Sequence, residues 1–242
     1  MSTPILLALD TATDRLAAGL LAPGVRVAVN EAGGALASAR LIPLLMGLLQ
    51  EAGLAMPQVQ AVAFGQGPGA FTGLRTACAV AQGLAFAHGT PVLPVDSLLI
   101  VADDARLQAD PADRDGPWWV AMDARMDEVY AAAYQHGPAG WTPLVPPQLY
   151  TLGALADAWQ AAPPQRVAGS AVTAFADRLP WGSARQWPHT QDRAAALLRL
   201  TEAAWAAGAS VAAEAALPLY LRDKVAQTTA ERLAVRAAGA GA

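Results

Sequence analysis

The stretch Gly65-Gln66-Gly67-Pro68-Gly69-Ala70-Phe71-Thr72-Gly73-Leu74-Arg75 decides how this chain is read. A short apolar run, Val59 to Phe64, precedes it and reads as a buried strand. An Ala-rich apolar run, Leu74 to His88, follows it and reads as a helix closed by Gly89. Four glycines in nine residues, Gly65, Gly67, Gly69 and Gly73, permit backbone angles that a Cβ forbids. Thr72 stands where an N-cap belongs. Strand, glycine turn and helix start aim free N–H groups at one point. Two readings are open here: an anion site, or a tight turn that lets the helix pack closely. A Walker loop is excluded, because Thr72-Gly73-Leu74 replaces Gly-Lys-Ser/Thr and the only lysine is Lys224. The glycine spacing also fails the dinucleotide fingerprint.

Outward from this turn, residues 5–9, 15–21 and 25–30 form apolar runs that can pair as a meander, with Pro23-Gly24 as a turn. Leu41, Leu44, Leu45, Leu48 and Leu49 recur at helical spacing over residues 39–50. Ser38 is the expected N-cap of that helix and Gly53 its C′ residue. A strand is expected at 91–95. Residues 118–123 and 128–134 read as paired strands, 152–161 as a helix, 166–168 as a short strand and 193–207 as a longer helix. Pro143 through Pro147 reads as loop. The resulting divisions are an N-terminal unit over 1–102, a link over 103–117, a C-terminal unit over 118–222 and a loose tail over 223–242. Each half begins with paired strands and ends in helices.

The whole chain bounds the function classes. It has 242 residues, 54% of them hydrophobic and 15% charged, with a net charge of −4. This describes a core-rich folded protein whose overall field does not favour nucleic acid. The single cysteine, Cys78, excludes an internal disulfide and reads as a small buried residue. The three histidines, His88, His136 and His189, have no metal-ligand spacing. No nucleophile elbow is present. No uncharged apolar run reaches about 18 residues and no signal-type segment opens the chain, so no membrane role and a cytoplasmic location are expected.

The glycine segment, followed by Pro91-Val92-Leu93-Pro94-Val95-Asp96-Ser97-Leu98, resembles the bacterial TsaB (YeaZ) family. Three further segments match in order: Ile5 to Thr13, Met122-Asp123-Ala124-Arg125-Met126-Asp127-Glu128-Val129-Tyr130, and Pro218-Leu219-Tyr220-Leu221-Arg222. The resemblance implies the actin-like/Hsp70-like ATPase (ASKHA) fold, an α/β architecture of two related subdomains. It also implies a non-catalytic subunit of the machinery that makes threonylcarbamoyladenosine in tRNA. Its partners would be the catalyst TsaD, TsaE in a ternary complex, and a second copy of itself when TsaD is absent. Contact with tRNA would be indirect.

In actin-like ATPases an acid at the end of the first strand holds a metal-bound water. The resemblance therefore makes Asp10, Thr11 and Thr13, with Asp123 as second acid, a vestigial nucleotide site. The competing reading is an Asx-type turn in which Asp10 and Thr13 bond their own backbone. Asp123-Ala124-Arg125 lacks a glycine for a phosphate to approach. No cofactor is expected on the isolated chain, with ATP or ADP held only in an assembled complex, and no metal. The resemblance also favours a partner interface over Leu41, Leu44, Leu45, Leu48, Leu49, Arg75, Ala77 and Ala81, where ordinary burial is the alternative. A small ATPase or kinase of the same fold, or a glycopeptidase-like hydrolase, are the rival functions.

Overall fold

A computed structural model describes residues 3–34 and 37–222. Strands β1 (Leu6–Asp10), β2 (Arg15–Ala22) and β3 (Val25–Ala32) form the expected antiparallel meander. Helix α1 (Ala37–Glu51) leads to β4 (Ala61–Gly67), which pairs parallel with β1. Helix α2 (Phe71–His88) leads to β5 (Val92–Asp96), parallel to β4, and α3 (Ser97–Gln108) follows. The sheet order is β3-β2-β1-β4-β5.

The second half repeats this plan. Strands β6 (Gly116–Asp123), β7 (Glu128–Gly137) and β8 (Gly140–Thr151) form a second antiparallel meander. Then come α4 (Leu152–Ala161), β9 (Arg166–Ala168), α5 (Ala171–Ala174), β10 (Arg185–Trp187) and α6 (Arg193–Ala206). The order β10-β9-β6-β7-β8 matches the first sheet strand for strand. Two mixed sheets of one topology, each flanked by helices, are the actin-like arrangement.

The alternation of β1 sorts the core. Leu7 and Leu9 pack with Leu41, Leu45, Phe64, Ala77 and Ala81 beneath α1 and α2. Leu6 and Ala8 face the other way, onto Leu197 and Leu198 of α6. All five β1 residues are buried, as a central strand covered on both faces requires. The closing helices are exchanged: α6 covers the first sheet, while α3 packs Leu98, Val101 and Ala105 against Trp118, Val120 and Tyr134 of the second. Gly19 permits the close seating of α6, since a Cβ there would lie 2.6 Å from the Leu198 side chain.

Several local expectations differ from the structure. Helix α2 starts earlier, with Ala70 as N-cap and no side-chain cap, so Thr72 lies inside its first turn. Helix α1 starts at Ala37, which puts Ser38 inside rather than at its cap. The segment 103–117 is not all connection, because α3 runs to Gln108 and buries Asp103 and Asp104. Residues 143–147 are strand. They lie on β8, the edge of the second sheet, where prolines are tolerated because one side of the strand needs no N–H donor. Strand β10 and the one-turn α5 are too short to announce themselves by periodicity. The tail placed at 223–242 lies outside the described residues.

Candidate functional site

The two halves enclose a cleft of about 880 Å³. Its walls come from the turn after β1, the glycine turn, the β6–β7 turn, the start of α6 and the chain segment 219–222. The four sequence segments that carry the family resemblance, more than 200 residues apart at the extremes, therefore converge on one place.

The glycine turn explains itself at close range. A Cβ on Gly65 would overlap the Asp10 carboxylate, and one on Gly73 would overlap the Thr11 carbonyl. A Cβ on Gly69 would lie 2.5 Å from the Ala12 carbonyl. The turn after β1 is thus pressed directly onto the glycine turn, and Ala70 N–H donates to Ala12 O at 2.8 Å. Thr11 ties the two together by donating its hydroxyl to Gly73 O at 2.7 Å. The close-packing role is filled by these contacts.

Asp10 is fully buried and richly bonded. Its Oδ1 accepts the Ala12 N–H at 2.6 Å, the Asx-type bond. Its Oδ2 accepts from Arg193 Nη2 at 2.9 Å and from the Ser97 hydroxyl at 3.3 Å. Ser97 Oγ in turn accepts the Gly67 N–H at 3.0 Å, which joins β4 to the network. Thr13 Oγ1 accepts the Arg15 N–H at 3.1 Å and lies on the cleft wall. Nothing in the sequence singles out Arg193, which lies 183 residues from its partner. Its side chain is almost as buried as the carboxylate it pairs with.

Asp123 occupies the equivalent place in the second half. Its Oδ1 accepts the Arg125 N–H at 2.8 Å and its Oδ2 meets Arg125 Nη1 at 3.2 Å. The Asp123 N–H donates to Ser170 Oγ at 3.0 Å. A third acid, Asp96, ends β5 and caps α3 by accepting the Leu98 N–H at 2.9 Å. The Tyr134 hydroxyl donates to it at 2.6 Å. Burial pushes the Asp96 carboxyl above the usual carboxylate range, and the Tyr134 and backbone bonds only partly oppose this. Burial likewise raises the Tyr134 phenol, with the Asp96 charge adding to it. Among the described residues, no group of three or more His, Cys, Asp and Glu is placed to hold a metal.

The expected partner stripe is a correction. Leu41, Leu45, Leu48, Leu49, Ala77 and Ala81 are buried in the core of the first half, and Leu44 packs half-buried against it. The sheet beneath takes up the stripe apart from the half-buried Leu44, because β1, β2 and β4 present a broad apolar face to both helices. Arg75 is exposed, with its guanidinium 3.9 Å over the Phe71 ring and its Nε donating to the Tyr220 hydroxyl at 3.2 Å. The outward surfaces of the two helices instead carry Ile42 at 46% and Phe86 at 81% exposure. Cys78 is buried as expected, and burial raises its thiol above the ordinary value.

A family model described as TsaD: tRNA N6-adenosine threonylcarbamoyltransferase matches residues 35–230. The tRNA threonylcarbamoyladenosine biosynthesis protein TsaB of Haemophilus influenzae is 40% identical over 130 residues, which cover 54% of this chain and 53% of that protein. TsaB of Escherichia coli is 36% identical over 135 residues, covering 56% and 57%. The chain thus spans little more than half the length of these curated relatives. Among solved structures, YeaZ from Pseudomonas aeruginosa is 40% identical with a TM-score of 0.79, over 91% of this chain and 100% of that one. A second Pseudomonas aeruginosa structure, titled as an uncharacterized protein with similarity to peptidase YEAZ, is 40% identical with a TM-score of 0.81, over 92% and 100%.

Proposed function

This chain belongs to the TsaB/YeaZ family, and from that membership we propose that it serves threonylcarbamoyladenosine formation in tRNA as a partner of a TsaD-type transferase, without supplying a catalytic group. One observation carries the second half of this reading. The three acids that end β1, β6 and β5 at or behind the cleft are already engaged inside the chain: Asp10 with Arg193 and Ser97, Asp123 with Arg125, and Asp96 with Tyr134 and the α3 amides, which leaves only the solvent-exposed Asp14 among the described acids of the cleft wall. A carboxylate so engaged is a poor general base or metal ligand, because ligand binding must first break those bonds. The partner surface we assign is the outward side of α1 and α2, around Ile42, Ala79, Gly83 and Phe86. The last three follow helical i, i+4, i+7 spacing, and a glycine there lets another backbone approach. TsaE would join the pair as a third component, ATP or ADP would be held only in that assembly, and a second copy would use the same face when TsaD is absent.

A reconstituted threonylcarbamoylation of tRNA tests this. Leaving the chain out should abolish product. Phe86→Glu should weaken binding to TsaD about thirtyfold or more, as loss of an interface anchor does, while the melting temperature stays that of the parent. His189→Ala, which removes a titratable ring from the cleft wall, should leave the rate within a few-fold. A folded, TsaD-binding His189→Ala protein with a rate about 100-fold lower would show that the chain donates a catalytic group. Unchanged binding by Phe86→Glu would move the partner surface elsewhere.

A further inference from the structure

The front of the cleft is crossed by a strap, residues 217–222, that touches both halves. The strap starts on the first half, where Cys78 Sγ and Gln82 Nε2 both donate to Ala216 O, at 3.2 Å and 2.9 Å. In its middle, Leu219 N–H donates to Gln66 O at 2.7 Å, directly on the glycine turn. Gly67 makes room for it, since a Cβ there would lie 2.9 Å from the Leu219 carbonyl. The Tyr220 ring packs on Phe71 with centroids 5.4 Å apart, and its hydroxyl accepts from Arg75.

The far end grips the second half. Arg222 Nη2 donates to Ala124 O at 3.0 Å, to Arg125 O at 3.3 Å and to the Glu128 carboxylate. The turn it grips is unusual. Arg125, Met126 and Asp127 are three consecutive non-glycine residues with φ of 66°, 58° and 57°. Left-handed backbone is unfavourable for each of them, so the run persists where outside bonds hold it. One terminal nitrogen, Nη2, lies within reach of both carbonyls and the carboxylate and shares its two N–H groups among them, while the planar group holds it in place.

We propose that residues 217–222 are a clasp that sets how far the cleft opens, with Arg222 as its latch on the second half and Leu219 and Tyr220 as its hinge on the first. The core between α3 and the second sheet joins the halves at the back of the cleft, and the strap joins them at the front. Loss of the latch therefore changes more than the turn it caps. The halves spread, and the strap loosens from the glycine turn.

The test uses the full chain carrying Arg222→Met, which keeps the stem and removes the donors. Hydrogen exchange of the amides of Ala124, Glu128 and Leu219 should accelerate about tenfold or more, while β1 and β4 stay protected. Nitroxides on the exposed Glu51 and Gln160, in a Cys78→Ser background that keeps a donor to Ala216 O, should report a longer and broader distance than in the same labelled protein with Arg222 intact. Arg222→Lys should fall between, since its ammonium keeps the charge for Glu128 but sits on a shorter, non-planar stem that does not place it among both carbonyls. If exchange rises only at 124–128 and the distance is unchanged, Arg222 is a local cap and the clasp is refuted. Should Arg222→Met fail to fold, Tyr220→Phe decides in its place. It removes one hydroxyl at a half-exposed site and should speed exchange at Leu219, and no change there overturns the proposal.

Discussion

The first strand of the N-terminal half ends in Asp10 and that of the C-terminal half in Asp123, and each carboxylate accepts the N–H two residues on, at 2.6 Å and 2.8 Å. Beyond that shared bond the two turns part. Asp10 is sealed in with Arg193, whereas Asp123 pairs with an Arg125 side chain that is 85% exposed. The second parallel strand of each half also ends in a glycine turn. In the first half it carries four glycines and opens the 18-residue α2, and in the second it is Gly169-Ser170 before the four-residue α5. One topology therefore holds a tightly packed turn pair on one side and a lightly held pair on the other. What differs is how much of each turn is removed from water, and that sets what a substitution costs.

The largest expected contrast lies between glycines. Gly73→Val places branched carbon into the Thr11 carbonyl, where backbone must move, and should leave little folded protein on a soluble-expression and thermal-melt assay. Gly153→Ala in α4, where a Cβ meets nothing within 4 Å, should raise stability by up to about 1 kcal/mol. Equal tolerance at both sites would break the contrast.

The two ion pairs come next. Arg193→Met strands a buried carboxylate and should cost about 3–5 kcal/mol, roughly 10 °C in melting temperature. The double change Asp10→Asn with Arg193→Met should recover most of this. Arg125→Met removes an exposed partner and should cost under about 1 kcal/mol. A double variant no better than Arg193→Met alone would show that the pair matters for shape rather than charge.

The smallest effect is one of pH, and its sign differs between the halves. Burial raises the Asp96 carboxyl, so its contribution to stability is present below the unfolded value of about 4 and lost as pH rises through the folded value. Asp96→Asn should therefore gain on the parent as pH climbs from about 4 toward neutrality. Asp127, held by Arg178 at 2.7 Å, is lowered, first by that hydrogen bond and then by the guanidinium charge. Its contribution is present above the unfolded value and lost as pH falls through the folded one. As pH rises, the melt of Asp127→Asn should lose ground on the parent below about pH 4 and that of Asp96→Asn should gain on it above about pH 4, and curves parallel to the parent in those windows would remove the assignment.

Strands β1 to β7 and β9 and the helix at 152–161 are legible in sequence, and the tight approach is one of two readings at the glycine turn, because each rests on local signals: alternation, apolar spacing and missing Cβ atoms. The leucine stripe over 39–50 shows the limit of such signals. Helical spacing says that Leu41, Leu45, Leu48 and Leu49 face something apolar. It does not say whether that surface belongs to the same chain, and here it does. The Asp10–Arg193 pair is illegible for a different reason. Both residues are common types, and only the fold brings the start of α6 beneath the first strand. The prolines of β8 mislead because edge position is a property of the sheet rather than of the residues along one strand.

The exchange of closing helices has a consequence during synthesis on the ribosome. Leu6, Ala8, Leu21 and Ala63 are covered by α6, which is made roughly 100 residues after the last strand of their sheet. At about 10 residues per second, one face of that sheet waits some ten seconds for its cover. The nascent N-terminal half must therefore spend that interval with a bare apolar face, and a pause between residues 96 and 206 would lengthen its exposure to chaperones and to misassociation.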